Sequence, residues 1–401
     1  MSKIDVHVFS GVSAADPGGT GRLIRTMVSQ AEQEATSNLQ FHFKAYENIP
    51  LKQAIKKFHF RDAAREVCMR YAPNLLSAHP YQAQLLKADN VIMLHPQTLG
   101  YYWCTSFLSR RKKPLWMYVL DASFFCIRSY NHIPGENGAC LRCLGRDNAP
   151  AKKMGCPNFP LPQKGSTQFL AALRKAAQSG HVRFLTQCES YNSLLKQHFG
   201  SSAQVHQTGL WVDFEDLAEA VDKKRLSPSS SQTVVFHASP LDPKGIRWAL
   251  QLAEACPGLT FLFPFEKCHL DSLNTGSPPA NARFEDMSWE TGLRKAVEDS
   301  LLTLNPSLWS SPIEGALVKS IAHAPATAAV DEPTAYSASI PDTVLLKLPA
   351  DAVQAGQILK DRVATNRLPQ HVDIQEWIHD FISVNLPIYG NILRQIRAGG
   401  G

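Results

Sequence analysis

Short apolar runs alternate along the chain with segments whose apolar residues recur every three or four positions, which predicts an α/β protein with parallel sheets. In the first half, strands are predicted at Asp5 to Phe9, Gln40 to Tyr46, Asn74 to Ala78, Asn90 to Leu94, Pro114 to Leu120 and Arg183 to Thr186, with another near Gln204 to Thr208. Helices are predicted between them at Gly21 to Glu34, Leu51 to Arg70, Tyr81 to Ala88, Thr167 to Ser179 and Glu189 to His198. The run Asp222 to Gln232 is charged, then rich in Ser and Pro, and reads as a linker. A second α/β unit opens at Thr233 with Val234, Val235 and Phe236. It continues with a helix over Gly245 to Ala255, a strand at Leu259 to Phe263, a helix near Trp289 to Asp299 and a strand at Leu301 to Leu304. A helix at Ile313 to Ala322 and a strand at Thr343 to Lys347 follow. From Ile374 to Ile396 the apolar residues keep helical spacing, broken at Pro387. No internal repeat is visible. The pattern predicts two doubly wound halves with a cleft between them.

Length agrees, since 401 residues exceed one comfortable core and suggest two domains. With 44% hydrophobic and 19% charged residues the composition is ordinarily globular, and a net charge of +6 is too mild to argue for nucleic acid. The start, through Ile4, Val6, Val8 and Phe9, alternates like a first strand and lacks the apolar run of a signal peptide. No window approaches the roughly 18 to 20 apolar residues of a membrane helix. The expectation is a cytoplasmic protein whose thiols stay reduced.

Four of the nine cysteines, Cys126, Cys140, Cys143 and Cys156, fall in one glycine- and proline-rich segment. The Cys140-Leu141-Arg142-Cys143 turn can set two thiolates on one metal edge, and the outer pair can close a tetrahedron about 2.3 Å from zinc. Such a segment has little core of its own, and a metal would supply its folding energy. A filled tetrahedron reads as structural, with His132 as a substitute ligand, and an iron–sulfur cluster fits the same ligands. Reduced thiols without a metal, or disulfides, remain the other readings. Cys68, Cys104, Cys188, Cys256 and Cys268 are scattered and read as small core residues.

Three further segments carry candidate chemistry. Asp16-Pro17-Gly18-Gly19-Thr20-Gly21-Arg22 follows the first strand and opens a helix, where backbone N–H groups can approach an anionic or sugar-like ligand; a plain glycine turn reads as well. Lys244-Gly245 stands just before a helix N-terminus, adding positive charge where the helix dipole already favours anions. The loop Asn305 to Pro312 runs into a helix whose first turn carries Glu314-Gly315, with Lys319 further on. A glutamate so placed can bind hydroxyl pairs and a lysine can meet phosphate; capped helices with solvated charges are the bland alternative. In the first half His95 and Asp121 each end a strand, where open α/β sheets place ligand groups, although a structural histidine is equally common there. The run Arg110-Arg111-Lys112-Lys113, near Trp103 and Phe107, reads either as a solvated loop or as a dock for anionic lipid headgroups.

Together these segments resemble the family-four glycosyltransferases of the GT-B fold, two facing Rossmann-like domains. Gly18-Gly19 matches the family's early glycine turn, Lys244-Gly245 its Lys-Gly loop, and Pro306-Ser307-Leu308-Trp309 the segment leading into its donor helix. Some bacterial polysaccharide members also carry a cysteine-rich insert after an aspartate that ends a strand, as Asp121 and Cys126 do here. The resemblance runs in order over nearly the whole chain. It implies an N-terminal acceptor domain over 1–222 with the insert at 122–160, a donor domain over 233–372, and C-terminal helices over 373–401 that return to the first domain. It also implies retaining transfer of a sugar from a nucleotide sugar to a saccharide or lipid-linked saccharide, in bacterial surface polysaccharide synthesis, at or near the inner membrane face. Donor binding then falls to Gly18, Gly19, Lys244, Glu314, Gly315 and Lys319, catalysis to His95 and Asp121, and structural zinc to the four cysteines.

The departures are specific. Ser239 stands where the family has an arginine, and Leu120 where it has a histidine. The family's two glutamates separated by seven residues fall on Ser311 and on Lys319 or Ser320, with Glu314 between. A catalytically degenerate binding or scaffold protein is therefore the alternative. A nucleic-acid binder would need a basic face interleaved with aromatics, and acidic residues are spread through both halves. A nucleotide-sugar epimerase would show GxGxxG after the first strand, which is absent.

Overall fold

The structure, a computed structural model, describes residues 3–16, 18–43, 81–159, 164–223, 231–273, 276–369 and 371–399, with a few isolated positions between 56 and 67. The helix expected at Leu51 to Arg70 and the strand expected at Asn74 to Ala78 lie outside those stretches. So does most of the expected linker. The chain divides into two compact units. One comprises Met1–Tyr130, Leu141–Trp211 and Pro387–Gly401, the other Asn131–Cys140 and Val212–Leu386.

The first unit is built on six parallel strands: β1 (Ile4–Ser10), β2 (Ser37–Phe43), β3 (Asn90–Leu94), β4 (Leu115–Tyr118), β5 (Val182–Thr186) and β6 (Gln204–Gln207). Their order is β2-β1-β3-β4-β5-β6. Val6 and Val8 of β1, Ile92 and Leu94 of β3, and Trp116 and Tyr118 of β4 bury one face of the sheet. Leu23, Ile24 and Met27 of the Gly19–Gln33 helix cover it, together with Ile388, Ile392 and Ile396 of the Ile388–Ala398 helix. The last three recur every fourth residue and so line one helical stripe.

The second unit repeats the plan with β7 (Thr233–Phe236), β8 (Thr260–Phe263), β9 (Ala282–Phe284), β10 (Leu302–Leu304), β11 (Thr327–Val330) and β12 (Leu346–Leu348). The order is β12-β11-β10-β7-β8-β9, again all parallel. Val234 and Phe236 face one core, with Ile246, Ala249 and Leu359, while Val235 faces another with Leu293, Val297 and Ala324. Burial on both faces explains why β7 reads as an unbroken apolar run.

Three segments group otherwise than the sequence suggests, the first being residues 212–222, which fall in the second unit rather than the first. Asn131–Cys140, the middle of the cysteine-rich insert, belongs to the second unit. The C-terminal stretch splits at Pro387, which cannot continue the His371–Asn385 helix. That helix stays in the second unit, with Phe381 tilted on Phe214 at 6.5 Å and Gln375 Nε2 donating to Asp222 at 3.1 Å. The Ile388–Ala398 helix joins the first, where Asn391 Nδ2 donates to the Thr208 carbonyl at 3.1 Å and the Tyr389 hydroxyl lies 3.1 Å from Ser37 Oγ. The single helix expected at Trp289 to Asp299 is instead a wide turn, Trp289–Leu293, kinked at Gly292 (φ 127°), followed by Arg294–Glu298.

Candidate functional site

In an open parallel sheet the ligand crevice forms at the C-terminal strand ends where the strand order reverses. In the second unit the chain starts at β7, builds outward through β8 and β9, then returns to lay β10 along the other side of β7. The loops after β7 and β10 meet at that reversal. Lys244 closes a 3-10 turn, Asp242–Lys244, after β7, and Ser307, Trp309 and Glu314 lie on the loop after β10.

Lys244 Nζ is ion-paired with Glu314 Oε1. Ser307 Oγ lies 2.8 Å from Glu314 Oε2 and 3.0 Å from Oε1, so one hydroxyl steadies the carboxylate. The ammonium also sits 4.9 Å from the centroid of the Trp309 ring, a cation–π contact. The two charged side chains are only 16% and 12% exposed, so their attraction is little screened by water. Glu314 holds the N-cap position of the Gly315–His323 helix yet caps it with no side-chain bond, because its carboxylate is turned to Lys244 and Ser307.

The two loops are stitched by backbone: Leu308 N donates to the Pro243 carbonyl at 2.9 Å. Gly245 makes that approach feasible. It is left-handed (φ 77°), and a Cβ there would stand 1.9 Å from the Pro306 carbonyl oxygen. The Lys-Gly and Pro-Ser-Leu-Trp motifs, read separately along the sequence, are thus one contact in space.

Lys319 takes part in a different group. Its Nζ lies 4.5 Å over the Trp289 ring, which stacks on His237 at 5.3 Å with 9° between planes. His237 Nδ1 is 2.8 Å from Ser320 Oγ, and its carbonyl accepts from Asn305 Nδ2 at 2.7 Å. Burial, then the charges of Lys319 and His323, push the His237 pKa down to about 4. In the first unit burial, reinforced by Arg174, likewise holds His198 at about 4. Both imidazoles are neutral in the fold, whereas in the unfolded chain they protonate near pH 6.5. The unfolded state therefore binds more protons between those values, so stability is full above about pH 6.5 and falls as pH drops toward 4. Each histidine contributes a slope of about 1.4 kcal/mol per pH unit in that window. Thermal midpoints taken from pH 7 to 4.5 should fall, and His198→Gln should flatten part of the slope. Midpoints that stay level across the window would reject the neutral assignment.

The insert segment of the second unit braces the same loop. Asn131 Nδ2 donates to Ser310 Oγ at 2.9 Å, and Ser310 N donates back to Asn131 Oδ1 at 3.1 Å. His132 Nδ1 faces two carbonyls, Gly138 at 3.0 Å and Leu308 at 3.1 Å, which makes it the protonated nitrogen. Glu332 accepts from Ala139 N at 2.8 Å and from Thr334. Sequence reading missed this brace, because Asn131 and Ser310 are far apart along the chain and nothing local marks either.

In the first unit the strand order reverses between β1 and β3, and the expected residues follow those strands. His95, directly after β3, is left-handed at φ 52°, a strained conformation for a residue with a side chain. Thr98 Oγ1 donates to the His95 carbonyl at 3.0 Å and lies 3.1 Å from its Nδ1. With the hydroxyl proton directed at the carbonyl, the network assigns the ring proton to Nδ1 and leaves Nε2 as an acceptor. Asp121 follows β4, taking Gln97 Nε2 at 3.0 Å and Ser123 N at 2.9 Å. Burial lowers the His95 pKa and raises that of Asp121, and each charge opposes the other's shift. After β1, Asp16 Oδ1 accepts from Gly18 N at 2.7 Å, shaping the glycine turn, and Asp16 also acts electrostatically on His95. Gly18 precedes the Gly19–Gln33 helix and Gly19 opens it. The turn thus belongs to the first unit, and Lys244, Glu314, Gly315 and Lys319 to the second.

The cysteine expectation fares differently. Among the described residues no group of three or more His, Cys, Asp or Glu side chains is disposed to hold a metal. Cys126, Cys143 and Cys156 belong to the first unit but Cys140 to the second, where it is fixed by Cys140 N donating to the Asn131 carbonyl at 2.6 Å. His132, the expected substitute, is engaged by carbonyls. As placed, these residues do not fit a zinc ion or an iron–sulfur cluster. The basic run is also reduced, because Arg111 is buried and donates to the carbonyls of Leu85, Ala88, Asp89 and Pro114. Lys113 pairs with Asp89 at 2.5 Å, leaving Arg110 and Lys112 as the cations of the run without an acidic partner among the described residues. No described helix is long and apolar enough to cross a membrane.

No protein-family model matches the chain, and no curated protein does. Solved structures do. A sucrose-phosphate synthase from Thermosynechococcus elongatus aligns at a TM-score of 0.61 and 10% identity, covering 99% of this chain and 100% of that one. HepE of Anabaena in complex with UDP aligns at 0.60 and 10%, covering 98% and 100%. A UDP-forming α,α-trehalose-phosphate synthase from Burkholderia vietnamiensis aligns at 0.56 and 12%, covering 99% of each. At such identities the likeness shows the fold alone. The chain has a GT-B fold of two Rossmann-like units.

Proposed function

We propose that this protein is a glycosyltransferase that moves a sugar from a nucleotide-sugar donor to a hydroxyl acceptor. One observation carries the reading: Lys244, Ser307 and Glu314 converge at the strand-order reversal of the second unit, where this sheet type binds its ligand. HepE and the trehalose-phosphate synthase, structures of the same fold, are described with UDP bound and as UDP-forming. We take a uridine diphosphate sugar as the donor.

The reaction builds negative charge on the departing diphosphate. Lys244 and the N–H groups opening the Gly315–His323 helix supply preorganised positive potential there, each such contact lowering the barrier by a few kcal/mol. Glu314, steadied by Ser307, offers two oxygens to a pair of donor hydroxyls. Lys244 pairs with it in the absence of ligand and exchanges to phosphate when the donor enters. In the first unit His95 Nε2, as a neutral acceptor, and Asp121 orient the acceptor hydroxyl. Its proton passes to the donor phosphate as the glycosidic bond forms, with retention at the anomeric carbon. The acceptor is a saccharide or a lipid-linked saccharide, as in bacterial surface polysaccharide synthesis.

A second reading, a non-catalytic nucleotide-sugar binder, is favoured by Ser239, an exposed serine where the family carries a phosphate-binding arginine. Release of nucleoside diphosphate from a panel of nucleotide sugars decides between the two, with anomeric configuration read by NMR. Turnover with a retained product is expected. Tight binding without turnover on any saccharide acceptor would favour the binder, and an inverted product would reject the retaining mechanism.

A further inference from the structure

A cavity of about 940 Å³ opens on the first unit, and none of the residues lining it takes part in the proposed reaction. It lies where the second half of the cysteine-rich segment meets the Glu189–Phe199 helix. Its size is at the upper end of the range for small-molecule sites, too large for a simple inorganic anion alone. Three cations line it, Arg142, Arg146 and Lys153, against a single acid, Asp147. That acid is already engaged, accepting from Ala149 N at 3.0 Å. Among the described residues neither Arg146 nor Lys153 makes an ion pair, so two positive charges face the cavity uncompensated.

The remaining lining is apolar. Leu141 and Met154, exposed by 37% and 44%, give the wall an accessible apolar surface. Arg142 Nη1 lies 3.7 Å from Met154 Sδ, so the cationic and apolar parts of the wall adjoin. The wall is also held in place: Gly145 N donates to Nδ1 of the neutral His198 at 3.1 Å, and Arg174 donates to the Gly145 carbonyl at 2.9 Å. Both bonds fix the turn between Arg142 and Arg146.

We infer that this cavity binds a phosphate-bearing amphiphile, its anionic group between Arg146 and Lys153 and its apolar body over Leu141 and Met154. The inference does not rest on the transfer reaction, because binding is readable with no donor present. The same chemistry arises in a soluble phosphate ester with an apolar body and in a lipid headgroup.

Octyl phosphate, below its micelle concentration, is the probe, titrated into the full-length protein by calorimetry beside octanol and inorganic phosphate. Saturable binding of octyl phosphate is expected, at least about tenfold tighter than inorganic phosphate, because only the ester meets both wall types. Arg146→Ala/Lys153→Ala should weaken it by about tenfold or more, and Arg146→Lys/Lys153→Arg should restore most of the affinity at an unchanged melting midpoint. Displacement of octyl phosphate by phosphatidylglycerol vesicles would assign the ligand to a lipid, and displacement by a soluble aryl phosphate to a metabolite; either outcome sustains the site. Absence of binding at millimolar octyl phosphate overturns it, as does equal affinity in the alanine variant and the parent.

Discussion

Gly245→Ala should cost the second unit at least about 3 kcal/mol and abolish nucleotide binding, although the side chain gained is a single methyl. Two costs add. The residue sits at φ 77°, where an L-residue with a Cβ loses about 1 to 2 kcal/mol. The methyl would also stand 1.9 Å from the Pro306 carbonyl oxygen, a backbone atom that cannot swing aside as a side chain would. Relief requires moving the loop after β10 off the turn after β7, which breaks the Leu308 N to Pro243 O bond and separates Lys244 from Glu314. Gly258→Ala is the matched control, since its Cβ would meet nothing within 4 Å. Melting followed by calorimetry should show a large fall for the first variant and little for the second. A Gly245→Ala protein that melts with the parent and still binds UDP would mean the two loops are not in contact.

That contact also shows what was legible in the sequence. β3, β7 and β8 stand out as compact apolar runs and β1 by its alternation of apolar and polar residues, and β7 is buried on both faces. β11 (Thr327–Val330) is hard to see because it is four residues long with two alanines, which are depleted in strands, at its centre; its place is set by pairing with β10 and β12. Lys244-Gly245 and Pro306 to Trp309 could be found as motifs, since both follow strands. Their mutual fit could not, because it depends on which strand lies beside β7. The same limit hides the brace on the loop: Asn131 is unremarkable in sequence, and only the fold brings it to Ser310. The four cysteines show a related limit. Ligand spacing measures separation along the chain, and among the described residues no three such side chains are gathered to hold a metal.

Electrostatics separate the roles of Lys244 in folding and in binding. Lys244→Met leaves Glu314 largely buried with Ser307 as its remaining described partner, and an orphaned buried charge typically costs about 3 to 5 kcal/mol. Adding Glu314→Gln removes that charge while keeping an acceptor for Ser307 Oγ, so the double variant should regain most of the lost stability. Nucleotide binding should not follow. A charged contact to phosphate is worth about 1.5 to 3 kcal/mol, and neither variant has the ammonium, so both should bind UDP at least about tenfold more weakly than the parent. Glu314→Gln alone should also melt below the parent, because it strands the largely buried Lys244 ammonium, and it should lose affinity for the sugar-bearing donor relative to UDP, because an amide offers donor hydroxyls one acceptor oxygen instead of two. Calorimetric melting and UDP titration on the four proteins complete the cycle. Parent-like UDP affinity in the double variant would confine Lys244 to a structural role and remove the residue on which the donor site is built.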